Sequence, residues 1–156
     1  QDANKYRAAL PNEIQDILKK HEEAGTTDSE EYMGATMEYY KRHLCNLDPW
    51  PPELEKAFAE LNFEVYGTMW GPNEFHATGS LKDYDRTEQL NEISVPTLFT
   101  AGRYDEATPE ATALYQGFVP GASLEIFENS SHMAMHEETD LYVKVIREFL
   151  RNVEKD

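Results

Sequence analysis

Two polar loops of this sequence, GRYDEATPE at 102–110 and ENSSHMAMHEE at 128–138, hold an aspartate and a histidine that together can move a proton. An imidazole takes the proton of a hydroxyl near neutral pH and later returns it to a leaving group. A carboxylate on its other nitrogen fixes the tautomer and stabilises the imidazolium. Asp105 and His132 are the pair that fits this chemistry; Glu106 is a rival for the acid, and Asp48, Asp83 and Asp85 are further carboxylates. A serine in a G-x-S-x-G turn would be the nucleophile such a pair serves, ahead of the acid and the histidine in chain order. The sequence has no such motif.

Each loop closes a run that reads as a buried strand, VPTLFTAG at 95–102 and SLEIFEN at 123–129. Helices are predicted after them over 110–118, opened by Pro109 at a first-turn position, and over 138–153. The second carries Leu141, Val145, Ile146, Phe149 and Leu150 on its apolar side. Strand, loop, helix, twice over, is the pattern of a parallel sheet, whose strands present ligand sites at their C-terminal ends. Two parallel strands do not make a sheet. The run at 95–100 reads as an interior strand covered on both faces, and alone it would expose an edge that invites aggregation. A partner segment is therefore expected, and the missing nucleophile points the same way.

Residues 1–79 read differently, as helical and poor in strands. Ile14, Ile17 and Leu18 after Leu10-Pro11-Asn12-Glu13 give the spacing of a short amphipathic helix, which Gly25-Thr26-Thr27 ends. Asp28 or Ser29 caps the next helix, with Glu31 at the capping-box position and Tyr32, Met33, Thr36, Met37, Tyr40 and Leu44 on one stripe. Asp48-Pro49-Trp50-Pro51-Pro52 is a rigid connector. Leu54, Phe58, Leu61 and Val65 mark a third helix, and Gly71-Pro72 and Gly79 punctuate a loop with Asn73, Glu74, Phe75 and His76. The expected division is a helical region over 1–79 and an α/β region over 80–156.

The chain has 156 residues, a one-domain length, with 40% hydrophobic and 12% aromatic residues. Its net charge of −16 argues against nucleic acid and against an anionic membrane surface as partners. Cys45 is the single cysteine, which leaves no disulfide framework and fits a reducing, cytoplasmic setting. No run approaches the roughly 18 apolar residues of a membrane span.

One linked set of motifs goes further. Trp70-Gly71-Pro72-Asn73-Glu74-Phe75, Thr78-Gly79, Leu81-Lys82-Asp83-Tyr84-Asp85, Ile93-Ser94-Val95-Pro96-Thr97-Leu98, Gly102-Arg103-Tyr104-Asp105-Glu106-Ala107-Thr108-Pro109 and Ser130-Ser131-His132-Met133 occur in this order. Together they resemble the proline iminopeptidase family of α/β-hydrolases, serine aminopeptidases and related amidohydrolases. The likeness runs from about residue 4 to the C-terminus. It implies a helical cap followed by the last two strands of the hydrolase core, with Asp105 and His132 as triad acid and base. It also implies that Glu74 and Glu106 hold the free α-amine of a peptide or amino-acid amide, and it leaves the serine elbow and oxyanion hole to an N-terminal segment as partner. Tyr66 and Trp70 are either cap core or the lining of an apolar substrate pocket.

Without the resemblance, Glu74 reads as a turn cap and Glu106 as a solvated carboxylate. An α/β-hydrolase of other specificity (an esterase or epoxide hydrolase) and a non-catalytic binding subunit stand as competing functions. No cofactor and no metal are expected. His132 and His136 have the i, i+4 spacing of zinc ligands, but they start in a loop, and Glu137 lies outside the H-E-x-x-H position. The run at 82–88 lacks the glycine of a calcium loop. His21, His43 and His76 show no partner in the sequence and read as structural or exposed.

Overall fold

In the computed structural model, which describes residues 3–155, the chain forms two compact units. One runs to Arg42 and resumes over Leu47–Tyr84; the other joins His43–Asn46 to the residues from Asp85 onward.

The first unit is helical: α1 (Ala3–Ala8), α2 (Asn12–Ala24), α3 (Glu30–His43, whose last residue packs with the other unit), α4 (Pro52–Ala59) and α5 (Phe63–Met69). Gly25 ends α2 in the left-handed region, φ 67°, which glycine adopts without a Cβ penalty. At the start of α3 the Ser29 hydroxyl accepts from the Tyr32 N–H at 3.3 Å. Glu31 does not complete a capping box. Its carboxylate accepts from Lys20 Nζ at 2.6 Å and meets His21 Nε2 at 2.8 Å, and the Lys20 bond first, then His21, holds it below the usual carboxylate range. The buried face of α3 is Tyr32, Ala35, Thr36, Tyr39 and Tyr40, so the stripe is rotated from the expected one and Met33 is 52% exposed. The single helix expected over Leu54–Val65 is two, because the Asn62 side chain accepts from Val65 N at 3.1 Å and starts α5 afresh. Behind α3, Asn73 donates to the Tyr32 hydroxyl at 2.7 Å, and that hydroxyl donates to Glu22 at 3.2 Å. Burial pushes the Tyr32 phenol up.

The second unit holds a 3₁₀ turn (Thr87–Glu92), β1 (Leu98–Gly102), α6 (Pro109–Phe118), β2 (Ser123–Phe127), α7 (Ala134–Glu137) and α8 (Thr139–Val153). β1 and β2 pair in parallel, from Leu98 opposite Ser123 to Gly102 opposite Phe127. The first strand starts at Leu98 rather than at Val95; Pro96 has no N–H to give a ladder. Thr108 caps α6 through its hydroxyl, which accepts from Ala111 N at 3.2 Å, with Pro109 in the first turn. Glu138, expected as the first residue of the last helix, lies instead between α7 and α8 with a non-helical backbone (φ −129°, ψ 50°).

Phe127 is fully buried and packs on Tyr142 of α8, ring centroids 5.3 Å apart. α8 itself has no buried residue, and its Leu150 is 49% exposed. β1 is half-covered over Leu98–Thr100. Among the described residues no helix is long and apolar enough to cross a membrane.

Candidate active site

A turn at the end of β1 delivers the acid. Arg103 N donates to Phe127 O at 2.8 Å, Tyr104 N to Ser130 O at 3.0 Å, and Asp105 N back to Gly102 O at 3.3 Å. These bonds turn the chain across the C-terminal ends of both strands, where parallel sheets place their chemistry. Asp105 is 4% exposed. Its Oδ1 accepts from Ala107 N at 2.8 Å and lies 2.9 Å from His132 Nδ1. A carboxylate only accepts, so Nδ1 carries a proton, and in the neutral ring Nε2 keeps the lone pair. The imidazole is 43% exposed. Asp105 and not Glu106 meets the ring; Glu106 is buried beside it, with its N–H donating to His43 O at 3.3 Å.

The close approach of the two loops depends on Gly102. A Cβ there would lie 2.1 Å from Ser131 O and 2.4 Å from Ser130 O, both backbone atoms that cannot step aside. The histidine loop is tied down by two consecutive carboxylates. Glu137 accepts from Ser131 N at 2.8 Å and from the Ser131 hydroxyl. Glu138 accepts from Asn129 N at 3.0 Å and from Ser130 Oγ at 2.6 Å. Partial burial would raise the Glu138 carboxyl, but the bonds from Ser130 and Asn129 outweigh it and hold the group below the usual range. Ser130 and Ser131 are fully buried and committed to these carboxylates, which removes them as nucleophiles despite their place beside His132.

The other residues singled out in the sequence lie in the helical unit. Glu74 accepts from the Tyr40 hydroxyl at 2.8 Å and from the Tyr66 hydroxyl. Tyr66 and Trp70, with Leu61, Val65, Met69 and Leu81, line an apolar groove of about 370 Å³. Glu74 and Glu106 belong to different units.

Sequence reasoning missed Tyr40 as a partner of Glu74, and it missed the partners of His21, His43 and His76. His21 Nδ1 lies 2.7 Å from Thr26 Oγ1, and His76 Nδ1 lies 3.7 Å from Glu22. His43 Nδ1 donates to Tyr104 O at 2.8 Å, across 61 positions of sequence. Glu137 and Glu138 were legible only as charges at a helix start. Nothing local marks them as acceptors for a preceding loop. Among the described residues no group of three or more His, Cys, Asp and Glu side chains is placed to hold a metal ion.

No protein-family model matches the chain. The proline iminopeptidase of Heyndrickxia coagulans is 43% identical over 155 residues, which are 98% of this chain and 54% of that protein. The crystal structure of VinJ matches with a TM-score of 0.93 at 41% identity, covering 98% of this chain and 52% of that one. The proline iminopeptidase of Mycobacterium smegmatis matches with a TM-score of 0.83 at 35% identity, covering 97% and 51%. The chain spans about half the length of the curated relatives it matches. Sequence and fold agree with the linked motifs: this chain is a homologue of the proline iminopeptidases and carries a portion of their α/β-hydrolase fold.

Proposed function

We propose that the chain is the C-terminal portion of a serine aminopeptidase or amidohydrolase, carrying its acid, its general base and most of its cap. The observation that supports this best is the 2.9 Å contact between the buried Asp105 and His132 Nδ1 at the ends of two parallel strands. In this reading Nε2 of His132 takes the proton of a serine hydroxyl as its oxygen attacks the scissile carbonyl. The imidazolium, stabilised by Asp105, passes that proton to the leaving amine, and an acyl-enzyme remains. Water, activated by the same nitrogen, releases the acyl group. The serine and the oxyanion donors come from an N-terminal portion outside this chain.

Glu106 and Glu74 give the reading its exopeptidase character. Burying a substrate ammonium unpaired costs several kcal/mol, and carboxylates offset that cost. Glu106 contributes from beside the acid. The resemblance gives Glu74 the same role; within the helical unit two tyrosine hydroxyls hold its orientation. The groove beside Tyr66 suits an apolar side chain of the substrate.

Co-expression with the N-terminal portion of the Heyndrickxia coagulans relative tests the assignment. The mixture is expected to hydrolyse an aminoacyl chromogenic amide, and each half alone is expected to be silent. Activity of this chain alone, removed by His132→Ala, would place the nucleophile within it and overturn the reading. A mixture that cleaves esters but no amide with a free amine would leave only a generic hydrolase.

A further inference from the structure

The segment His43–Asn46 packs with the α/β unit although the residues on both sides of it, Arg42 and Leu47, belong to the helical one. Leu44 and Cys45 anchor it, both buried. Its polar groups face the two loops that carry the dyad. The carbonyl of His43 accepts from Glu106 N at 3.3 Å and from His132 N at 3.2 Å, so one oxygen serves the residue after the acid and the histidine itself. Leu44 O accepts from Met133 N at 3.0 Å. The side chains repeat the arrangement: His43 Nδ1 donates to Tyr104 O at 2.8 Å on the acid loop, and Asn46 Nδ2 to Asn129 O at 3.0 Å on the histidine loop.

We propose that His43–Asn46 is a strap that sets the spacing of Asp105 and His132, and that Glu137 is the positioning residue that fastens it to the histidine loop. Glu137 Oε1 accepts from Asn46 N at 2.7 Å, while its Oε2 accepts from Ser131 N at 2.8 Å. One carboxylate thereby joins the end of the strap to the residue before His132. The need for such a device follows from the loops themselves. The β1–β2 ladder ends at Gly102 and Phe127; beyond it Arg103 N to Phe127 O and Tyr104 N to Ser130 O still join the loops, but both bonds come before Asp105 and His132 in their loops. A misplacement of about 1 Å between reacting groups can cost about 10²-fold in rate. An acceptor shared by both loops limits that drift, and charge-assisted bonds to main-chain N–H groups are the strong kind.

The proposal rests on Asp105 and His132 being the catalytic pair, and its test separates the two ideas. In the full-length hydrolase that contains this chain, Glu137→Gln keeps shape but turns an NH₂ donor toward N–H donors. The expected result is a kcat lower by about 10- to 100-fold with KM within about twofold. The downfield proton resonance of the His132–Asp105 hydrogen bond should shift or broaden. His43→Ala, which removes the side-chain tie to Tyr104 and keeps the shared carbonyl, should give the same signature more weakly, and it carries the test if Glu137→Gln does not fold. Folded variants with parental kcat and a parental resonance would overturn the strap; so would a rise in KM alone. A shifted resonance in a parent protein that hydrolyses no amide would uphold the strap and remove the aminopeptidase reading.

Discussion

Carboxylates do different work in the two units. In the α/β unit Asp105 meets an imidazole, and Glu137 and Glu138 take the backbone N–H groups of Ser131 and Asn129. In the helical unit Glu74 is held by two phenol hydroxyls, one from α3 and one from α5. A backbone donor moves only if the chain moves, so the dyad inherits the rigidity of the strand ends and of the loop path. A phenol donor sits at the end of a rotatable side chain, and its position depends on how separate helices pack. The contrast teaches that disturbance near the dyad should fall on turnover, and disturbance near Glu74 on the choice of substrate.

The largest effect should come from the dyad. In the reconstituted enzyme His132→Ala is expected to lower kcat by about 10⁴-fold or more, and Asp105→Asn by nearly as much through the wrong tautomer. Steady-state kinetics on one amide checks both; near-normal turnover in Asp105→Asn with none in Glu106→Gln would transfer the acid role to Glu106. Next in size is Glu74→Gln, which removes charge with little change of shape. Loss of a charge-assisted contact of about 2–5 kcal/mol lowers kcat/KM for a free-amine substrate roughly 30-fold to several thousand-fold. Its N-acetylated counterpart should change little. Equal losses on both would mean that Glu74 supports its unit and does not read the amine.

Tyr40→Phe sharpens the comparison further, since it deletes one of the two phenols and leaves Tyr66 in place. A hydrogen bond to a charged group contributes about 1.5–3 kcal/mol, so amine selectivity should fall about tenfold or more with turnover of the N-acetylated substrate unchanged. A loss confined to turnover would erase the distinction between the units. The smallest effect concerns Glu138, whose carboxyl lies below its ordinary value in the folded chain. A depressed folded pKa gives stability that is present above the unfolded value, about 4.3, and lost as pH falls through the folded one. Thermal unfolding of Glu138→Gln should therefore show a deficit at neutral pH that closes as the pH drops below the ordinary carboxylate range. A deficit constant with pH would assign the residue a packing role only.

Much of the α/β unit was legible because its signals are local. The alternation of apolar runs with Gly, Pro and Asp marked both strands, and the chemistry of loops after strands marked Asp105 and His132 before any geometry was available. Helix breaks were harder. Asn62 starts a new helix inside an apolar spacing that read as continuous, and the short α7 forms within the expected histidine loop and ends at Glu138, whose side chain accepts from Asn129 and Ser130. The turned stripe on α3 brings Tyr39 against Phe75, ring centroids 4.7 Å apart and planes tilted by 60°, a contact that no window of sequence contains.

The sequence by itself determined the parallel pairing of two strands, the acid-then-histidine order of their loops, and the kinship carried by its linked motifs. Only the tertiary structure decided that Asp105 rather than Glu106 meets the ring, that Tyr40 and Tyr66 converge on Glu74, and that His43–Asn46 crosses both strand-end loops. Periodicity and turn chemistry act over a few residues and leave their mark in the chain. A hydrogen bond between His43 and Tyr104 depends on where two distant backbones come to rest, and that is set by the burial of everything between them.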